Sequence, residues 1–208
     1  MARCIENKCK LCRREGMKLF LKGQRCFTEK CAVSRRDYPP GVHAQKRAKV
    51  TEYGVRLREK QKLKRIYGVL ERQFKLYFGE AERLKGNTGE NLMTLLERRL
   101  DNVVLSAGFS LSRNHARQLI NHGHFRVNGR RVDVASYRVR PGDVISPGTQ
   151  ENTREIVSEA LEVNKSQPVP GWLSVTADTL SARIVGLPRR EDVPHPIQEQ
   201  LIIELCSK

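Results

Sequence analysis

The chain has 208 residues, enough for one or two domains with a real core, and carries 39 Lys+Arg against 23 Asp+Glu, a formal net charge of +16. A charge of that size implies a polyanionic partner. No run approaches the ~18 apolar residues that a membrane span requires, and the start MARCIENKCK is polar where a signal peptide is apolar. A cytoplasmic address without membrane attachment is therefore expected. The charge is unevenly spread: residues 1–50 hold 14 basic and 4 acidic groups, 51–100 hold 12 and 7, 101–150 hold 7 and 3, and 151–208 hold 6 and 9. The positive field belongs to the first three quarters.

Near the start, Cys9-Lys-Leu-Cys12 is followed after thirteen residues by Cys26-Phe-Thr-Glu-Lys-Cys31. Two close pairs joined by such a loop can bring four thiolates to the corners of one tetrahedron, as structural zinc requires, and four thiolates leave no open position for catalysis. Lys8, Lys10, Arg13 and Arg14 surround the first pair, and cations lower thiol pKa and offset the charge of such a site. An iron–sulfur cluster uses the same ligands. A redox CxxC fits less well, because no βαβ pattern surrounds it. Cys4 could replace Cys9 or lie free; Cx2C is the tighter fit, which favours Cys9, and Cys206 reads as a half-buried thiol. Without metal, so polar a segment could not bury enough apolar surface to stay folded.

Arg35-Arg36-Asp37-Tyr38-Pro39-Pro40-Gly41 cannot be helical and predicts an extended strap. Lys46, Arg47 and Lys49 continue it as a basic arm that orders against its partner. Thr51 then caps a helix running to about Ile66, crowded by Arg56, Arg58, Lys60, Lys62, Lys64 and Arg65. Each phosphate such side chains neutralise releases about one counterion, so affinity should fall steeply with salt. After Gly68, Leu70, Phe74, Tyr77, Phe78, Ala81 and Leu84 recur at core spacing, so these aromatics read as core. Gly86-Asn-Thr-Gly89 breaks the pattern, and Glu90–Leu96 opens the next helix.

From Glu97 to Ile145 the spacing predicts a helix ending at Gly108, a short basic helix between Ser112 and Gly123, and a tight three-strand meander. Ala116, Leu119 and Ile120 form one face of the short helix, and Arg113 and Arg117 share the wet one. Phe125 and Val127 alternate into Asn128-Gly129, a strong hairpin signal. Its polar edge is almost entirely arginine and histidine. Arg113 and Arg117 stand in the first half of a helix, where free amides favour phosphate. His122, His124, Arg126, Arg130 and Arg131 come from the helix end and hairpin, and Arg138 and Arg140 precede the turn at Pro141-Gly142-Asp143. Arginine forks bind phosphate bidentately and stack on bases. An acidic helix follows, with Glu151, Glu155, Glu159 and Glu162, then a linker at Pro168–Gly171. Trp172, Leu173 and Val175 read as a short strand. Ile197, Leu201, Ile202 and Leu205 form a closing amphipathic element expected to pack on the 51–90 helices.

LDNVV, SxxxARQLINHGHxxVNGRRV and SYRVRPGD resemble the RNA-binding module of the bacterial small-subunit ribosomal protein S-four family. CxLCRREGxKLxLKGxRC, YPPGxHxQKR, YGVRLREKQKLKRIYGVLERQF and EQLIIEL extend the resemblance over essentially the whole chain. The resemblance implies a structural protein that binds small-subunit ribosomal RNA at a multi-helix junction early in assembly. It also implies contact with neighbouring small-subunit proteins, and a place, cytoplasmic and ribosome-bound, by the channel where messenger RNA enters, with influence on decoding accuracy. It puts zinc ligands at Cys9, Cys12, Cys26 and Cys31 and attaches the messenger side to Lys46, Arg47 and Lys49. Arg13, Arg14, Arg35 and Arg36 join the candidate RNA contacts.

The expected fold class is α+β: a helical domain (residues 46–96 with 172–208), an inserted helix-plus-β-hairpin module with its acidic helix (97–171), and an N-terminal four-cysteine zinc knuckle with basic strap (1–45). The alternative is a zinc-containing DNA-binding regulator, since the short helix pair imitates helix-turn-helix; the hairpin beside it obstructs groove access. The five histidines are scattered without a nucleophile or carboxylate pair, so neither an enzyme nor a small-molecule substrate is expected.

Overall fold

The computed structural model describes residues 5–42, 49 and 51–207. The chain forms two compact units, Met1–Leu92 with His195–Lys208, and Met93–Pro194. The second is inserted into the first.

In the first unit, α1 (Lys8–Glu15) is capped by Asn7, whose side chain accepts the Cys9 amide, and ends at Gly16 with φ +68°. A 3-10 turn (Gly23–Cys26) and the short α2 (Ala32–Arg35) follow. Arg35 therefore closes a helical turn, and the extended strap begins at Arg36 (φ −146°, ψ 101°). Thr51 caps α3 (Glu52–Tyr67) by accepting the Gly54 amide, and Gly68 ends it in the left-handed region at φ +61°. α4 (Glu71–Arg83) buries Phe74, Tyr77, Phe78 and Ala81, so its aromatic stripe is core, as its spacing predicts. Each buried phenylalanine of this stripe contributes about 1.5–3 kcal/mol on leaving water. α5 (Thr88–Glu97) runs across the division between the units. The closing helix α9 (Glu199–Cys206) packs on α3, as expected from its amphipathic pattern.

In the second unit, α6 (Leu100–Ser106) and α7 (Arg113–Asn121) precede β1 (Phe125–Val127), β2 (Arg130–Arg131) and β3 (Val144–Pro147). α8 (Glu151–Asn164), β4 (Leu173–Thr176) and β5 (Ser181–Ile184) complete it. The sheet has five strands in the order β2-β1-β3-β5-β4, with every pairing antiparallel. Sequence spacing leads to a three-strand meander. The two further strands join because Val144 and Ile145 pair with Arg183 and Ala182. That pairing also keeps residues 173–184 with the inserted unit, so the return to the helical unit comes at His195, whereas sequence spacing puts it at 172. Val103, Val104, Phe109, Ala116, Ile120, Phe125, Ile145, Trp172 and Ala182 make one buried cluster between helices and sheet. Asn164 ties α8 to the α6–α7 loop, donating to the Gly108 and Ser110 carbonyls at 3.0 and 3.1 Å. Asn128 and Gly129 both adopt positive φ (+50° and +77°), the tight hairpin geometry that this dipeptide favours.

Candidate nucleic-acid interface

Beneath α7 lies a buried polar shelf. Asp101, 1% exposed, accepts two bonds from the Arg99 guanidinium, Nε to Oδ1 at 3.0 Å and Nη2 to Oδ2 at 2.8 Å. Arg117 reaches the same carboxylate, Nε to Oδ2 at 3.0 Å. Asn102 donates to Glu97 Oε2 at 2.6 Å and accepts Arg113 Nε at 2.9 Å. Charges removed this far from water persist only when paired and hydrogen-bonded. The sequence predicts open phosphate forks at Arg113 and Arg117, but both lean inward and pin α7 to α6. Their capping residue behaves as expected: Ser112 Oγ accepts the His115 amide at 3.3 Å. Sequence reasoning missed Glu97, Arg99, Asp101 and Asn102. Their only signal is four polar residues interleaved with apolar ones at the start of a helix.

The open cations are on the hairpin. Arg130, Arg131 and Arg140 are exposed and Arg126 half-buried, and among the described residues none has a carboxylate partner. Arg126 lies opposite Arg131, and Val127 opposite Arg130, so the register gathers like charge at one edge. Such an edge is unfavourable unless an anion covers it. Arg131 donates to the His122 carbonyl at 3.3 Å, and its guanidinium lies against Gly123, whose φ is +77°. Any side chain at Gly123 would overlap that guanidinium. The His122 and His124 rings sit 6.1 Å apart, and His124 Nδ1 meets the hydroxyl of the buried Thr153 at 2.8 Å. Arg138 is half-buried beside Arg99, to which its backbone bridges. His115 has its pKa lowered by burial.

On α3 the picture differs. Arg56 pairs with Glu52 at 3.1 Å and Glu204 at 2.8 Å. Lys60 and Lys64 share Glu71 at 2.9 and 2.6 Å. Lys62 pairs with Glu59, and Arg58 and Arg65 both reach Glu15, whose side chain is 1% exposed. Burial raises the Glu15 pKa against the pull of Arg65 and Arg58. Burial also raises Glu71, but bonds from Lys64 and Lys60 outweigh it and leave that carboxyl below its ordinary value. All six α3 cations named from the sequence are thus matched by carboxylates of their own unit. Nearby, Arg14, Lys49, Arg58 and Lys62 line a cavity of about 490 Å³ with Glu15 and Glu59.

At the N-terminus, Cys12, Cys26 and Cys31 are buried, Cys9 is half-buried, and all four line one cavity of about 10 Å³, the room of a single water-sized occupant. Among the described residues, no three His, Cys, Asp or Glu side chains approach closely enough to hold an ion. The residue types nonetheless suit a thiophilic metal: four cysteines line one cavity, with Lys8, Lys22 and Arg25 among the other lining residues. Burial pushes the Cys12 and Cys26 thiols up; at Cys31 burial is outweighed by the Ser34 and Val33 amides, which hold that thiol low. Arg13 anchors the strap: it donates to the Tyr38 and Pro39 carbonyls at 3.0 and 3.3 Å, and its guanidinium lies 4.7 Å above the Tyr38 ring. Arg14, Arg35 and Arg36 are exposed. Cys4, Lys46 and Arg47 lie outside the described residues. Among the described residues, no helix is long and apolar enough to cross a membrane.

Two family models match the chain: "Ribosomal protein S4/S9 N-terminal domain" over residues 3–97 and "S4 domain" over residues 98–145. Similar proteins include the small ribosomal subunit protein uS4 of Thermodesulfovibrio yellowstonii, 55% identical over 208 residues and all of both chains. Those of Thermoanaerobacter pseudethanolicus and Pelobacter propionicus are 57% and 55% identical, again with both chains fully covered.

Proposed function

The chain belongs to the ribosomal protein S4 family, and from that premise we propose that it is a structural constituent of the small ribosomal subunit, cytoplasmic and ribosome-bound, that binds ribosomal RNA. The observation that carries this reading is the hairpin edge, where Arg126, Arg130, Arg131 and Arg140 stand without carboxylate partners beside His122 and His124. Guanidinium forks match phosphate oxygens bidentately, and the pairing of β1 with β2 and β3 holds the hairpin in place, which limits the ordering cost of binding. A folded RNA adds shape and 2′-hydroxyls to that phosphate contour. The finer roles rest on the family resemblance: early organisation of the subunit, contact with neighbouring small-subunit proteins, and a place at the channel where messenger RNA enters, attached to Lys46, Arg47 and Lys49. In a mobility-shift titration the chain binds ribosomal junction RNA tightly, with affinity falling steeply as salt rises. Equal binding to duplex DNA would overturn this in favour of a DNA-binding regulator.

Cys9, Cys12, Cys26 and Cys31 are the residues that would hold one structural zinc ion. Four thiolates close its coordination shell, so it supplies folding energy to the knuckle and no reaction. The support is the shared cavity, the sulfur-only donor set and the flanking cations Lys8, Lys22 and Arg25. Metal analysis of the purified chain gives one zinc per molecule, and Cys12→Ser loses it together with amide protection in residues 5–42. Iron in its place assigns the knuckle to a cluster; a metal-free folded chain removes the site.

A further inference from the structure

Phe20 and Phe27 form a stacked pair at the surface of the knuckle, ring centroids 5.0 Å apart and planes inclined by 30°. They are 39% and 63% exposed, while Phe74, Tyr77 and Phe78 of the same unit are buried. Phe20 holds φ +50°, a left-handed backbone that a bulky side chain rarely adopts. Folding alone would turn these rings inward, since each exposed phenyl forgoes about 1.5–3 kcal/mol of burial. The surroundings identify what would cover them. Lys18, Lys22, Arg25 and Lys30 are all exposed, and among the described residues none of the four has a carboxylate partner, unlike the cations of α3. Within residues 18–30 the one acidic side chain is Glu29. Arg25 Nε donates to the Lys30 carbonyl at 3.3 Å, which holds two of these cations to one loop.

A stacked aromatic pair in a segment whose exposed cations have no carboxylate partner among the described residues matches the two needs of an unpaired nucleotide, a π-face for the base and positive charge for the flanking phosphates. An apolar protein segment would leave those cations uncompensated, and a duplex hides its base faces in its own stack. We propose that Phe20 and Phe27 are a stacking platform for an unpaired base of the RNA partner, flanked by Lys22, Arg25 and Lys30 as phosphate contacts. This rests on the RNA-binding reading above and adds a second binding surface to the hairpin edge.

The test uses the full chain as purified. Phe27→Trp places an indole on the platform, and the unmodified chain supplies the constant signal of the buried Trp172 for subtraction. Junction RNA with unpaired nucleotides quenches the new emission, and the same RNA made fully duplex does not. Phe27→Leu, and separately Phe20→Leu/Phe27→Leu, lose about tenfold in affinity for the unpaired RNA, with duplex affinity and salt slope unchanged; amide protection in residues 5–42 reports that the segment is folded. Full RNA affinity in a folded Phe27→Leu chain overturns the platform alone. So does retained RNA affinity with lost incorporation into subunits, which would assign the pair to a protein neighbour. If the unmodified chain itself fails to bind the RNA, the RNA-binding reading falls, and the platform with it.

Discussion

Helix α3 and the β1–β2 edge look alike as strings of basic residues, and the fold treats them in opposite ways. Every α3 cation named from the sequence meets a carboxylate, from Glu15, Glu52, Glu59, Glu71 or Glu204. Arg126, Arg130 and Arg131 meet none among the described residues, and Asp101, which α7 reaches through Arg117, is already shared by Arg99 and Arg117 beneath the surface. Density of charge along the chain therefore does not locate the anion-binding face. What locates it is where positive charge is left unmatched, because a phosphate reaching a matched cation must first displace a carboxylate.

The largest effect expected from this contrast comes from the two kinds of carboxylate. Asp101→Ala leaves Arg99 charged and buried, and should cost about 3–5 kcal/mol in denaturant unfolding of the inserted unit. Glu71→Ala removes a partner that is 41% exposed and should cost no more than about 1 kcal/mol. Equal losses would break the distinction. Gly123→Ala comes next. The left-handed backbone adds about 1–2 kcal/mol for a residue with a side chain, and the methyl also displaces Arg131. RNA affinity should then fall by more than the stability loss explains, as seen by comparing binding and melting of the same variant.

A subtler reading comes from salt. Arg130→Ala/Arg131→Ala should reduce the slope of log affinity against log salt by roughly one for each phosphate left unneutralised. Lys60→Ala/Lys64→Ala should change it much less, since those ammonium groups already share Glu71. A larger change from the α3 pair would reverse the assignment. The smallest effect is on pH. Burial lowers the His115 pKa below its ordinary 6.5, and its Nδ1 faces the Leu111 amide at 3.5 Å. A histidine with a depressed folded-state pKa contributes stability that is present above its unfolded pKa and is lost as pH falls through the folded one. Melting of the inserted unit should therefore weaken below about pH 6.5, and His115→Gln should flatten that dependence.

Much of the local structure was legible because its causes are local. Thr51 and Ser112 cap their helices with their own hydroxyls, Asn128-Gly129 turns a hairpin because both residues tolerate positive φ, and the α4 stripe declares its buried face by spacing. Cys9, Cys12, Cys26 and Cys31 line one cavity. Other features had no local cause. β5 completes the sheet by pairing with a strand nearly forty residues earlier, so no window of sequence exposes its register. The exposed Phe20–Phe27 pair looks in sequence like any two phenylalanines bound for a core.

By itself, then, the sequence determined the family, the class of partner, the helix caps and the hairpin turn, all of which follow from composition, motif and neighbours within a turn or two. Only the tertiary structure decided which cations remain available. Glu15 and Glu204 reach α3 from 43 and 148 residues away, and Asp101 draws Arg117 inward across 16. Charge cancels through space, over a few ångströms, and the order of residues along the chain does not say which opposite charges the fold will bring that near.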